Sequence, residues 1–384
     1  MNIGQLRRGD RGIWAVMGIL AVASVLAVYS STSSLAFGRS GGDTEYYLLK
    51  HTVFLVMSIG AAWLASMVPF KKYLRYAPIL WLLSVVLLVA TMLFGLEINE
   101  ARRWLQLPII GMSFQPSEFA KIALILYVAA QIASRQEAIK GFREAFLPLL
   151  VPIIVVVGLI APSDLSTAAL LFGVCLVMLF IGRVDWKYIA LLIGAAVMFL
   201  LFLLALESVF PDLLRVDTWK SRIEEFFYQP EGGYQVQQAK MAIARGYIFG
   251  EGPGSSIQRN FLPYPYADFI FAIIAEEYGL FGAAFIIMVY LFLLWRVVVI
   301  ATRSTSVFAA MVTVGLGLNI VVQAFMNIAV SVQLVPVTGL TLPLISMGGS
   351  SVLITCIAIG ILLSASHWVN TEFKKRLQRD AHTH

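Results

Sequence analysis

The stretch Gly250–Gly279, GEGPGSSIQRNFLPYPYADFIFAIIAEEYG, opens as a loop rich in glycine, serine and proline and closes as an apolar helix. Asp268 stands at the seam, followed at once by Phe269, Ile270, Phe271, Ala272, Ile273 and Ile274. A carboxylate at the mouth of a membrane helix is costly to keep there and marks a functional candidate. A second reading competes with that one: Asp is a favoured N-cap, so Asp268 either caps the helix or does chemistry. Glu276 and Glu277 follow about two turns further on, at helical spacing.

Working outward, the whole chain has the character of that helix. Of its 384 residues, 59% are hydrophobic and only 13% charged. Repeated apolar runs of about 20 residues define an all-α, polytopic membrane protein. Ten spans are expected, at roughly 13–30, 49–68, 76–95, 117–133, 146–161, 166–182, 187–208, 268–295, 306–331 and 343–367. The first follows Arg7, Arg8 and Arg11 but lacks a small-x-small cleavage site, so it reads as a span rather than a signal peptide. The runs at 146–161 and 166–182 are short, with Pro148, Pro152 and Pro162 to kink or bound them. The chain is then one transmembrane domain, 1–384, with an N-tail at 1–12, a long loop at 209–267 between spans seven and eight, and a C-tail at 368–384.

Short connections on the side of the N-terminus hold most of the Lys and Arg, among them Lys71, Lys72 and Arg75, and Lys374, Lys375 and Arg376. Those of the other side hold Arg39, Lys50, Arg102 and Arg103. Charge in the 209–267 loop has little bearing on orientation, because long loops translocate largely regardless of charge. Both termini are therefore expected in the cytoplasm and Asp268 at the outer face. The net charge of +6 serves this orientation and gives no reason to expect a nucleic-acid partner. Cys175 and Cys356 fall inside apolar runs and read as buried thiols. His51, His367, His382 and His384 are scattered, which argues against a histidine metal site. No HExxH, P-loop, GxSxG or CxxC motif is present.

Three outer segments carry the remaining signals. In Asn99–Ser117, Arg102, Arg103 and Trp104 resemble an interfacial anchor, and Pro108 and Gly111 break any helix. Glu118 and Lys121, three apart at the head of the next span, share a face and can pair. Such a pair either is an ordinary interfacial ion pair or faces a cavity. The 209–267 loop is rich in aromatics and so is expected to be ordered. Within it Tyr234–Gly246 forms an amphipathic helix carrying Gln235, Gln238 and Lys240, suited to the membrane interface. Ser331–Ser351 has no charge and is interrupted by Pro336, Gly339, Pro343, Gly348 and Gly349. Backbone of that kind is either a cavity wall or a re-entrant packing loop.

Four separated motifs together resemble the shape, elongation, division and sporulation (SEDS) family over nearly the whole chain. They are ARRW at Ala101–Trp104 with QPSEFAK at Gln115–Lys121; GYQVQQ at Gly233–Gln238; LPYPYADFIFAIIAEE at Leu262–Glu277; and LVPVTGLTLPLISMGGSS at Leu334–Ser351. The ARRW and GLTLPLIS wording is FtsW-like rather than RodA-like. Departures are YPYA at Tyr264–Ala267, Glu100 where Gly is usual, Met347 before the paired glycines, and PSDLST at Pro162–Thr167, which leaves Asp164 without a transferred role.

The resemblance implies an integral peptidoglycan glycosyltransferase of the bacterial cytoplasmic (inner) membrane that polymerises lipid II into glycan strands during cell division. It implies a class B penicillin-binding protein and divisome proteins as partners, with membrane lipid around both. Asp268 is then the essential outer carboxylate, either general base or ligand of a divalent cation, Mg²⁺ or Mn²⁺. Arg103, Lys121 and Arg222 are candidates for the lipid II pyrophosphate. Glu118 orients Lys121, and Gln235, Glu277 and Ser350 take supporting places. The rival reading is a lipid-linked precursor flippase, since broken helices and intramembrane charge suit a transporter too. A ligase for lipid-linked polysaccharide and a non-catalytic division scaffold are further rivals.

Overall fold

The computed structural model describes residues 9–32, 44–98, 101–107, 112–209, 216–229 and 231–382. Arg7, Arg8, Arg39, Glu100, Pro108, Gly111 and His384 lie outside these residues. The described chain is almost all helix. In order it forms α1 (Arg11–Ser31), α2 (Thr44–Met67), α3 (Phe70–Phe94), α4 (Pro116–Ser134), α5 (Leu147–Ile160), α6 (Leu165–Ile181) and α7 (Trp186–Val209). Then come α8 (Val216–Tyr228), α9 (Tyr234–Gly246), α10 (Ile270–Arg303), α11 (Val307–Ser331) and α12 (Gly349–His382). Seven of these are long and apolar enough to cross a membrane, and α5, α6 and α7 add three shorter apolar helices. They match the ten expected runs in order.

Burial sorts the bundle. In α4 and α11, 72% of the most apolar window is buried, against 22% in α2 and α3, so α4 and α11 form the centre and α2 and α3 face lipid. α12, as deeply buried, packs on α2 and α11, while α10 packs on α1, α9 and α11. The thiols Cys175 and Cys356 are buried and unpaired. Pro148 sits in the first turn of α5, where its missing N–H costs nothing. Pro152 lies inside that helix, and Pro162 in the turn that ends it.

The structure corrects several boundaries. The segment after α3, read as an anchor loop, folds as a three-stranded antiparallel ribbon of β1 (Leu96–Ile98), β2 (Ala101–Leu107) and β3 (Met112–Phe114). The last span begins at Gly349 rather than 343, because Pro343 precedes Leu344 with a left-handed φ of 67°. It also continues as helix through most of the expected C-tail, helped by a Glu372–Lys375 pair. The amphipathic helix at 234–246 is present as α9, and α8 before it was not foreseen.

The helix that follows Asp268 is broken. At Gly279 the backbone turns to φ 63°, ψ −163°, which divides α10 into pieces at 270–278 and 280–303. A broken helix at membrane depth must satisfy its freed backbone groups within the protein. The 246–252 loop does so. The amides of Glu251 and Gly252 donate to the carbonyls of Glu276 (2.9 Å) and Glu277 (3.0 Å). The amides of Leu280 and Phe281 donate to the carbonyls of Tyr247 (2.9 Å) and Ile248 (3.4 Å). The upper piece is also clamped by α9, whose Ala239 and Ala242 pack with Phe269, Ala272 and Ile273.

Candidate active site

Asp268 does not cap α10. The cap position is Phe269, with no side-chain cap hydrogen bond. Asp268 sits half-buried in the preceding turn, and its main-chain carbonyl accepts from Asn327 Nδ2 at 2.7 Å. Among the described residues its carboxylate accepts no hydrogen bond and lies in no ion pair. Burial is the largest influence on it and raises its pKa. Arg222 and then Arg103 pull the pKa back down, and Asp164 pushes it up again. The fold thus gathers Asp268, Arg222, Arg103 and Asp164 into one electrostatic cluster from four distant parts of the chain.

Each member is held differently. Arg103, on β2, pairs with Asp164 (Nη1–Oδ2 3.3 Å) and donates from Nε to the carbonyl of Ser163 at 2.6 Å. Asp164 also caps α6 by accepting from the amide of Thr167 at 3.1 Å. Arg222, on amphipathic α8, has its pKa lowered first by burial and then by Arg103, against Asp164, Asp268 and Glu225. Asp164 is the residue that sequence reasoning passed over. Its signal was an Asp directly before an apolar helix, followed three residues on by Thr167.

The uncharged Ser331–Ser351 segment wraps this cluster without regular structure up to α12. It is fixed from α11 by two polar residues spaced four apart, Gln323 and Asn327. Gln323 Nε2 donates to the carbonyl of Thr341 (3.0 Å), and Asn327 Nδ2 to that of Leu340 (2.7 Å) as well as to Asp268. Ser346 Oγ donates to the carbonyl of Ala267 (2.6 Å), and the Met347 amide to that of Tyr266 (2.8 Å). Both open readings of the segment hold at once, since it is bonded as a packed loop and its residues 335–338 also line cavities. One of these, about 630 Å³, is an apolar groove between α6, α8 and α11 with Arg222 in its wall.

Glu118 and Lys121 pair as expected, at 2.9 Å, and both are buried. Lys121 Nζ also donates to Gln323 Oε1 at 2.7 Å, which links the pair to Thr341. Ser350 accepts from the Gln115 amide at 3.2 Å and so anchors the start of α4. Gln235 is brought close to Arg222, in the wall of a smaller polar pocket. Glu277 is not brought to the cluster. It accepts from Ser30 Oγ and from the Ser256 amide, while Glu276 holds Ser256, the Ile257 and Gln258 amides and Arg245. Both glutamates thus tie the loop to the upper piece of α10.

The ammonium of Lys121 is engaged twice within the bundle, which predicts a structural effect on its loss. Lys121→Met is expected to cost about 3–5 kcal/mol, because Glu118 is left buried without its counter-charge. The double change with Glu118→Gln should recover most of that in a thermal-unfolding cycle. Full stability of Lys121→Met with lost turnover would instead give the lysine a chemical role.

Together, fold and site define a multi-pass membrane protein with a partly buried charged cluster set beside an apolar groove. The chain belongs to the FtsW/RodA/SpoVE family of cell cycle proteins, whose model matches residues 10–371. Among its relatives are proteins named probable peptidoglycan glycosyltransferase FtsW. That of Aromatoleum aromaticum is 34% identical over 94% of this chain and 88% of the relative. That of Halomonas elongata is 33% identical over 96% and 93%. A solved structure described as a peptidoglycan synthase complex coordinating polymerization and crosslinking is 25% identical, with TM-score 0.71 over 94% of this chain and 98% of that one. The rod shape determining protein RodA of Thermus thermophilus shares the fold, with TM-score 0.64 over 94% and 97% at 24% identity. The FtsW-like wording of the motifs agrees with these relatives.

Proposed function

We propose that this chain is a peptidoglycan glycosyltransferase that polymerises lipid II during cell division. It works at the outer face of the cytoplasmic membrane, with both termini in the cytoplasm. The observation that carries this is the Asp268 carboxylate, free of hydrogen-bond donors among the described residues yet set in the field of Arg222 and Arg103. Asp268 takes the proton from the 4-hydroxyl of the acceptor sugar as that oxygen attacks the donor's anomeric carbon. The bond from that carbon to the pyrophosphate breaks, and Arg222 and Arg103 stabilise the charge that grows on the leaving group. A raised pKa suits a base, since proton affinity rises with it. Lys121, tied to Glu118 and Gln323, acts by positioning.

No cluster of three or more metal-binding side chains occurs among the described residues. The donor set therefore fits a divalent cation only as a lone carboxylate plus substrate phosphate oxygens, the usual way Mg²⁺ is held. In that alternative Asp268 would hold the cation rather than take the proton, and the cation would neutralise charge on the pyrophosphate. The partner is a single-span class B penicillin-binding protein of the division machinery, which supplies the crosslinking step.

The test is polymer formation from purified lipid II, with this protein alone and with its partner, in wild type and Asp268→Asn. Polymer from wild type alone is expected. Lipid II crossing liposomes without any polymer would turn the assignment to a flippase. The acid limb of the pH–rate profile gives a signed check. Arg222→Gln removes a charge that lowers the pKa of Asp268, so the limb moves to higher pH. Asp164→Asn removes one that raises it, so the limb moves to lower pH. Shifts of the opposite sign would mean that another group titrates.

A further inference from the structure

The polar pocket beside Arg222 is not accounted for by proton transfer or by pyrophosphate. It has a volume of about 350 Å³, within the range of small-molecule sites. Its walls come from α8 and the start of α9, with Thr218, Ser221 and Glu225 on one side and Tyr234 and Gln235 on the other. Arg222 and Val337 belong to this pocket and to the apolar groove alike. A lipid-linked saccharide has the same order of parts: an apolar chain, then a charged pyrophosphate, then a neutral sugar. We infer that the pocket is a saccharide subsite, with the lipid chain in the groove, the pyrophosphate at Arg222 and the sugar between α8 and α9. This rests on the polymerase reading and names the part of the substrate that these helices recognise.

The chemistry of the walls selects a sugar over a second anion. Glu225 lies within electrostatic range of Arg222 and repels phosphate from the pocket interior. A carboxylate, two hydroxyls and an amide offer the mixed donors and acceptors that sugar hydroxyls and an N-acetyl group require. Tyr234, 56% exposed, presents a ring to the apolar face of a pyranose. Gly233 caps α9 without a side-chain bond, and a Cβ there would come within 2.6 Å of Glu225 Oε2. The glycine therefore leaves room for the carboxylate, and the far end of a glutamate can move aside without unfolding the chain.

Binding, rather than turnover, tests this. Full-length protein in lipid nanodiscs is titrated with polyprenyl pyrophosphate and with lipid II. Wild type is expected to bind lipid II at least about tenfold more tightly, as two or three hydrogen bonds would give. Tyr234→Ala with Gln235→Ala, and separately Gly233→Ala, should reduce that preference to within about twofold and leave the sugarless lipid unaffected. Arg222→Ala should weaken both. Equal binding of the two lipids by wild type, or an undiminished preference in both variants, would overturn the subsite. Preference for lipid II without any polymer formation would leave the subsite standing and remove the polymerase reading.

Discussion

Asp268→Asn is expected to reduce lipid II polymerisation by at least about a hundredfold, and by up to about ten-thousandfold, the span that general bases contribute. Asn keeps the size of the side chain and the Asn327 bond to the main-chain carbonyl of residue 268, so the turn itself survives. What is lost is the proton acceptor. The same change should not destabilise the protein. Asp268 has a folded-state pKa above its ordinary value. The favourable contribution of its protonated form is therefore fully present below the unfolded pKa and is lost as pH rises through the folded pKa. In its ionised form the half-buried carboxylate is a burden that the fold carries for its chemistry, and Asn lifts it. Thermal unfolding at pH 7 should show Asp268→Asn at or above the wild-type midpoint. An inactive variant with a much lower midpoint would mean that the aspartate is structural.

The second large effect lies at the break in α10. A Cβ on Gly246 would meet the carbonyl oxygen of Ala275 at 1.9 Å, and one on Gly279 would meet that of Ile248 at 2.4 Å. Both obstacles are backbone, so no rotamer relieves them. Gly246→Ala is expected to cost about 3 kcal/mol, the upper end of ordinary overpacking. Gly279→Ala should cost about 1–2 kcal/mol more, because its φ of 63° is left-handed. Gly254 supplies the control, with a positive φ of 76° but open space around it, so Gly254→Ala should show the backbone cost alone. Equal losses for Gly246→Ala and Gly254→Ala in thermal unfolding would mean that the close packing of loop on helix is not what holds the break.

The legible part of this protein was the part governed by apolar length and by local charge spacing. Ten runs of hydrophobic sequence became ten helices in order, and Glu118 and Lys121, three apart, became a buried pair. The amphipathic period of 234–246 gave α9 nearly to the residue. The parts that escaped depend on distant partners. The ribbon at 96–114 is held by pairing between strands, and its seven-residue β2 does not alternate between apolar and polar side chains. The break at Gly279 lies inside a continuous apolar run, and the backbone bonds that stabilise it come from the distant 246–252 loop. Asp164 reads as a cap from its neighbours and becomes part of the site only because β2 delivers Arg103 to it. The pair Gln323 and Asn327 stands at a spacing of four on α11. Its meaning came with the carbonyls it meets.

The divided helix also bears on how the protein meets membranes of different thickness. Unbroken, 34 helical residues would reach roughly 51 Å, far beyond a hydrocarbon core of about 30 Å. A rod of that length could fit only by tilting, and its tilt would change with every change of lipid. With the break at Gly279, the 280–303 piece alone answers to the lipid, over roughly 36 Å. The 270–278 piece answers to α9 and the loop. Swelling or thinning of the bilayer is thus absorbed below the break, and the depth of Asp268 is set by protein rather than by lipid.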